Sequence, residues 1–172
     1  MEEIVVKKAS PADANVLAVI ARETFVESYA DKNTKENMAD YLNTHFTDSV
    51  IRDELTNTDC HIFIAWDDNR PAGYLKLNTG AAQTDLQESN SLELERIYVK
   101  RAWQGRKVGQ LLLEKAVDTA YELGKTSIWL GVWEDNPGAV RFYKRNGFIP
   151  FGTHTFTLGS EAQNDIMMRR IL

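Results

Sequence analysis

The sequence predicts a single α/β domain built on a mixed sheet, and three observations carry that expectation. Strand-like and helix-like runs interleave in the order β-α-α-β-β-β-α-β-α-β-β. The 172 residues suit one domain able to bury about 70% of its unfolded surface. Within the segment LELERIYV, residues 92–99, the alternation slips by one residue. Leu92 and Leu94 point one way, and the apolar set resumes at Ile97 and Val99 instead of Arg96 and Tyr98. A slip in a period-2 pattern is what a β-bulge writes into a sequence.

The elements follow in order. Residues 3–9 (EIVVKKA) read as a strand, Ser10-Pro11 punctuates, and residues 12–29 read as a helix with Val16, Leu17, Ile20, Phe25 and Val26 among its apolar positions. Asn33 or Thr34 caps a second helix reaching Phe46, and Asp48 caps a short third one reaching Leu55. Residues 61–66 and 72–78 read as two strands around the turn composition DDNRP, hence a hairpin. After the bulged strand a helix is expected from about Gly105 to Leu123, with Gly124 in the place of a C-terminal glycine. Residues 126–133 form a buried strand. Asn136-Pro137 supplies a cap and a first-turn proline for a helix to about Arg145, which Gly147 stops. Strands at about 150–158 and 164–171 close the chain around the segment GSEAQND.

Composition narrows the function. A net charge of −5 argues against nucleic acid and anionic membranes as general partners. No run approaches the roughly 18 apolar residues of a membrane span. The first ten residues carry no apolar core of a signal peptide. Cys60 stands alone, and His45, His61 and His154 lack metal-ligand spacing, so neither disulfide nor metal is expected. These features point to the cytoplasm. Charge is unevenly spread. Residues 100–107 hold Lys100, Arg101, Arg106 and Lys107 with no acid; without them 16 basic residues face 25 acidic ones, a remainder of −9. A positive turn on an acidic body suits an anionic ligand and leaves acidic surface for a cationic one. A glycine-containing turn opening a helix also offers free N–H groups to a phosphate.

This order of elements, and the residues from Leu92 to Phe148 above all, resemble the GNAT superfamily of acetyl-CoA-dependent N-acetyltransferases. The family's cofactor signature is Gln or Arg, two residues, Gly, one residue, then Gly or Ala. Gln104-Gly105-Arg106-Lys107-Val108-Gly109 matches at both ends and departs at the inner glycine, where this chain has Lys107. ERIYV before it and NPGAVRFYKRNGF after it complete the likeness. Within GNAT, the segments LELERIY and IWLGVWE and the last hairpin look like those of PaiA-type spermidine/spermine N-acetyltransferases.

The resemblance implies a mostly antiparallel sheet whose central strand pair is bulged and splayed, flanked by helices. It implies acetyl-CoA as co-substrate, no metal, and a small cationic amine as acceptor. Glu95, at the phase slip, is the expected general base acting through water, with Glu93 as its fallback. Tyr143 shares a helical face with Asn136, Ala139 and Val140 and is the expected acid for the leaving thiolate. Ile97, Tyr98 and Val99 would meet the pantetheine arm through their backbone, the Ile97 N–H serving the developing oxyanion. Gln104, Gly105, Arg106, Lys107, Val108, Gly109 and Gln110 would cradle the pyrophosphate. Asn136 would touch the arm and Arg145 the 3′-phosphate. Gly131 interrupts an apolar strand and leaves room for a ligand or another backbone. Phe25, Tyr29, Tyr41 and His154 are candidates for the acceptor side. Two alternatives stay open: a protein N-terminus or lysine as acceptor, and a non-catalytic CoA-binding regulatory module. Exposed strand edges in such a fold are compatible with a homodimer.

Overall fold

The computed structural model describes residues 3–172. Seven strands form one sheet: β1 (Ile4–Lys8), β2 (Cys60–Asp67), β3 (Arg70–Asn78), β4 (Ser91–Val99), β5 (Ser127–Trp133), β6 (Ile149–Leu158) and β7 (Glu161–Ile171). Among the described residues five α-helices flank them: α1 (Ala14–Tyr29), α2 (Lys35–His45), α3 (Asp48–Thr56), α4 (Val108–Glu122) and α5 (Pro137–Arg145). The spatial order is β1-β2-β3-β4-β5-β7-β6, antiparallel throughout except where β4 runs parallel to β5.

Each face of the sheet carries its own core. Leu75, Leu77, Leu92, Leu94, Ile128 and Leu130 face α4, whose Leu112, Leu113, Ala116 and Ala120 are fully buried. On the opposite face Ile62, Ile64 and Tyr74 meet Leu17, Ile20 and Phe25 of α1, Met38 of α2 and Ile51 of α3. Each fully buried Leu or Ile contributes about 1.5–3 kcal/mol relative to exposure.

The bulge falls where the phase slips. Lys76 of β3 pairs with Arg96 and Leu77 with Leu94, leaving Glu95 as the extra residue between them. Leu92, Leu94, Ile97 and Val99 thereby keep one face, toward α4. Beside the bulge lies the splay. β4 and β5 pair only at Ser91↔Ser127, Leu92↔Ile128 and Glu93↔Trp129, and a Ser91–Ser127 hydroxyl contact of 2.6 Å clips the closed end. Past Glu93, β5 stays with β7 as far as Trp133↔Asp165, so β4 has no strand on that side.

Four expectations need correction. Thr47, not Asp48, caps α3: its hydroxyl accepts the Val50 N–H at 3.2 Å. The first hairpin turns on Asp68-Asn69 alone, since Asp67 already pairs with Arg70. The last hairpin turns on Gly159-Ser160, since Leu158 pairs with Glu161 and the polar run EAQND is strand. Helix α4 begins at Val108 rather than Gly105, because Gly105 (φ 80°) and Lys107 (φ 63°) both lie in the left-handed region. Lys107 thus holds the backbone conformation that glycine adopts without strain, as the departure from the family signature implies.

Candidate active site

The splay opens two cavities that meet at Tyr98, a lining residue of both. The first is a groove of about 620 Å³ running from the free edge of β4 to the starts of α4 and α5. Ile97, Tyr98, Val99, Gln104, Gly105, Lys107, Val108, Gly109, Gln110, Asn136, Tyr143 and Arg145 all line it. Ser28 of α1 and Trp103 join them, neither of which was anticipated. Leu111 is the first residue of α4 whose N–H finds a carbonyl in the preceding turn, that of Lys107 at 3.1 Å. The N–H groups of Val108, Gly109 and Gln110 before it have no helical acceptor and sit at the positive end of the helix. Asn136 caps α5 by accepting the Ala139 N–H at 3.2 Å.

Two of the four cations of the basic run are paired with acids and a third bonds a backbone carbonyl. Lys100 pairs with Glu23 at 2.9 Å, and the Arg101 backbone N–H and guanidinium reach Glu27. Arg106 is the one expected cradle residue whose place is off the groove: its guanidinium lies 3.4 Å from Asp67. The buried Asp67 carboxylate, at the end of β2, also accepts from the Trp103 indole N–H at 2.8 Å, pinning the turn from behind. Lys107 is left as the cation at the groove from that run.

Tyr143 is buried, its ring packed edge-on against Phe142 and Phe148. Burial, then the nearby Tyr98 phenol, push its hydroxyl well above the usual tyrosine range, so it stays protonated.

The second cavity, about 290 Å³, lies on the α1–α2 side of the sheet. Glu93 and Glu95 line it, and the bulge brings Arg96 and Tyr98 to the same side. Phe25, Tyr29, Tyr41 and His154 line it, as do Gly131, Trp133, Phe156 and Asp165. The Phe25 and Tyr41 rings stack at 4.5 Å and 2°. Gly131 faces this cavity rather than the groove, and a Cβ there would sit 3.1 Å from an Asp165 carboxylate oxygen.

Glu95 is part of a four-membered ion cluster. Its carboxylate lies 2.5 Å from Lys76 and 3.8 Å from Arg96, and Glu54 of α3 holds the same two bases at 3.2 and 3.1 Å. Burial raises its proton affinity, but Arg96 and Lys76 outweigh that and hold the carboxyl below the usual glutamate range. Asn78 donates to both Glu93 (2.8 Å) and Glu95 (3.0 Å). Among the described residues no cation pairs with Glu93, and burial pushes its carboxyl up despite the hydrogen bonds from Thr84 and Asn78. Lys76, Glu54 and Asp165 escaped sequence reasoning. Lys76 and Glu54 have no motif around them, and Asp165 sits in a polar run that reads as a turn.

Residues 20–148 match the Acetyltransferase (GNAT) family. Over its whole length the chain is 33% identical to an uncharacterized N-acetyltransferase of the pepI 3′ region of Lactobacillus delbrueckii subsp. lactis, of which it covers 99%. A spermidine N(1)-acetyltransferase of Thermoplasma acidophilum is 26% identical over 84% of this chain and 88% of its own. Among solved structures, the PaiA N-acetyltransferase of Thermoplasma acidophilum, in complex with coenzyme A, superposes with a TM-score of 0.80 at 23% identity over 99% of both chains. The match of profile, fold and splayed groove together mean that the chain belongs to the GNAT acetyltransferase family and is an acetyl-CoA-dependent N-acetyltransferase.

Proposed function

We propose that this enzyme acetylates a primary amine of a polyamine or similar small cationic amine, with Glu95 as general base and Tyr143 as general acid. The observation that carries the reading is the junction at Tyr98. A groove walled by backbone N–H groups meets a chamber walled by aromatic rings and carboxylates. The groove fits a long phosphate-bearing thioester. Past Glu93 one side of β4 has no strand partner among the described residues, and three N–H groups at the start of α4 are free for phosphate oxygens.

Bound there, acetyl-CoA supplies an acetyl group activated as a thioester. Val108, Gly109, Gln110 and Lys107 hold its phosphates, the Ile97 and Val99 backbone orients the arm, and Arg145 takes the remaining phosphate. The Ile97 N–H donates to the carbonyl oxygen as charge gathers on it. An alkylammonium near pKa 10 is almost wholly protonated at neutral pH. Transferring its proton outright to an ordinary carboxylate is uphill by about 8 kcal/mol. Two features of the chain reduce that demand. The Glu95–Glu54–Lys76–Arg96 cluster carries no net charge, so it does not hold the amine beside it in the charged form. Glu95, held ionised, accepts the proton through water as the new N–C bond makes the nitrogen acidic. The Tyr143 hydroxyl, held protonated, donates to the departing sulfur.

The acceptor assignment is supported by the carboxylates of the chamber and by the relationship to the spermidine acetyltransferase. The lone Cys60 accords with a cytoplasmic enzyme. The test is CoA release with acetyl-CoA and a panel of spermidine, spermine, putrescine, an aminoglycoside, and peptides bearing a free N-terminus or lysine. Selective turnover of the polyamines is expected; turnover of peptides alone would overturn the acceptor while leaving the transfer chemistry.

A further inference from the structure

We propose that Asp165 is the specificity-determining residue of the acceptor chamber: its carboxylate holds an ammonium group of a di- or polyamine remote from the one acetylated, against Tyr29, Trp133 and Phe156. The inference rests on the polyamine reading above.

The carboxylates around the chamber differ in whether they are already satisfied. Glu95 is paired with Lys76 and Arg96. Asp85 is paired with His154 at 3.0 Å. Glu93 takes hydrogen bonds from Thr84 and Asn78. No hydrogen bond or ion pair within the described residues reaches the Asp165 carboxyl. Its ionisable surroundings are His154, opposite it on β6, Glu134 just past β5, and the phenols of Tyr29, Tyr41 and Tyr98 on α1, α2 and β4. Lys32, whose ammonium lies 5.1 Å from the centre of the Trp133 ring, is committed to the Asp135 carbonyl at 2.9 Å.

Partial burial of a carboxylate without a cation is unfavourable, and a ligand ammonium relieves it. The chain makes space for that carboxylate with Gly131, where any Cβ would press on it at 3.1 Å. The rings beside it form one packed aromatic wall, Tyr29 lying 5.1 Å from Trp133 and 6.2 Å from Phe156, and ring faces on such a wall attract ammonium groups. Glu95 and Asp165 stand on β4 and β7, with β5 between them. Two sheet spacings are about 10 Å, and the splay adds to that, so the two carboxylates suit amines at separate points of one flexible chain. Burial, countered in part by His154, pushes the Asp165 carboxyl up to about 6. The anchor is therefore anionic at neutral pH and neutral in mild acid.

The test is a chain-length series of α,ω-diamines and the matching monoamines, assayed with the wild type and Asp165→Asn. The expected result is a KM for the preferred diamine raised about tenfold or more, with the loss in KM rather than kcat, and collapse of the diamine-over-monoamine preference. The wild type should lose the same preference as pH falls through about 6. A thermal melt adds a readout. A carboxyl whose folded value is raised destabilises the fold only where it must ionise, so Asp165→Asn should raise Tm above about pH 6 and lose that gain toward pH 4. If the variant fails to fold, Gly131→Ala, which displaces the same carboxylate, should raise the diamine KM in its place. An equal KM rise for monoamines, or a fall in kcat alone, would overturn the anchor. An unchanged diamine KM would overturn it while leaving the polyamine reading intact. A wild type that acetylates no diamine or polyamine would overturn both.

Discussion

The groove and the chamber share Tyr98 but are built from different materials. The groove is chiefly backbone: an unpaired strand edge, a left-handed turn and a helix start. The chamber is chiefly side chain, with walls from α1, α2, β4, β5, β6 and β7 and with charges that must balance one another. Side-chain changes should therefore be severe in the chamber and graded in the groove, with Tyr143 as the exception because its hydroxyl is the proposed acid.

The largest effect should come from Glu95→Gln. It removes the proposed base and leaves Lys76, 6% exposed, with Glu54 as its remaining acid partner. We expect kcat to fall by about 100-fold or more. Stability should fall by about 2–3 kcal/mol, below the full cost of breaking a buried pair because Glu54 stays. Glu95 is a group with a depressed folded value, so its contribution is present above the usual glutamate range and is lost as pH falls through and below it. The gap in Tm between wild type and variant should accordingly be full at neutral pH and narrow in acid. A gap independent of pH would mean that packing, not charge, holds the cluster.

Tyr143→Phe should come next. The ring keeps its packing against Phe142 and Phe148, so acetyl-CoA affinity and Tm should change little while kcat falls by about 100-fold. Loss of acetyl-CoA binding on calorimetric titration would instead make the hydroxyl a structural element of the groove.

The same division governs what the sequence discloses. Backbone geometry leaves local marks: the slip between Leu94 and Ile97 placed the bulge, Asn136-Pro137 placed the α5 cap, and Gly124 and Gly147 marked helix ends. Long-range pairing leaves none. Nothing near Lys76 says that it will meet Glu95 through a bulge nineteen positions later, and nothing near Arg106 says that it will turn to Asp67 instead of the groove. Asp165 was hidden for another reason. The outer parts of β6 and β7 pair with each other beyond the core, lose the apolar alternation of a half-buried strand, and so resemble a loop.

A smaller effect is expected at Asn136, whose side chain both caps α5 and faces the groove. Asn136→Ala should cost about 1 kcal/mol through the cap, a Tm loss of about 2–4 °C. It should also raise the KM for acetyl-CoA by a few-fold. A normal KM with the expected Tm loss would assign the residue to the helix alone.

The mildest change sharpens the comparison most, because at Lys107 backbone and side chain pull in opposite directions. The φ of 63° costs a side-chain-bearing residue about 1 kcal/mol that glycine escapes. Against that, Lys107 is the cation of that run that lines the groove, since Lys100 and Arg106 pair with acids and the Arg101 guanidinium is turned to the Glu27 carbonyl. Lys107→Gly should therefore raise Tm by about 2–4 °C and weaken acetyl-CoA binding by no more than about threefold, since the three free backbone N–H groups at the start of α4 remain. If affinity instead falls by tenfold or more, the groove depends on a side chain as the chamber does, and Lys107 persists in a strained conformation because its charge is needed there. An unfolded variant would mean that the turn depends on lysine contacts that its backbone conformation does not reveal.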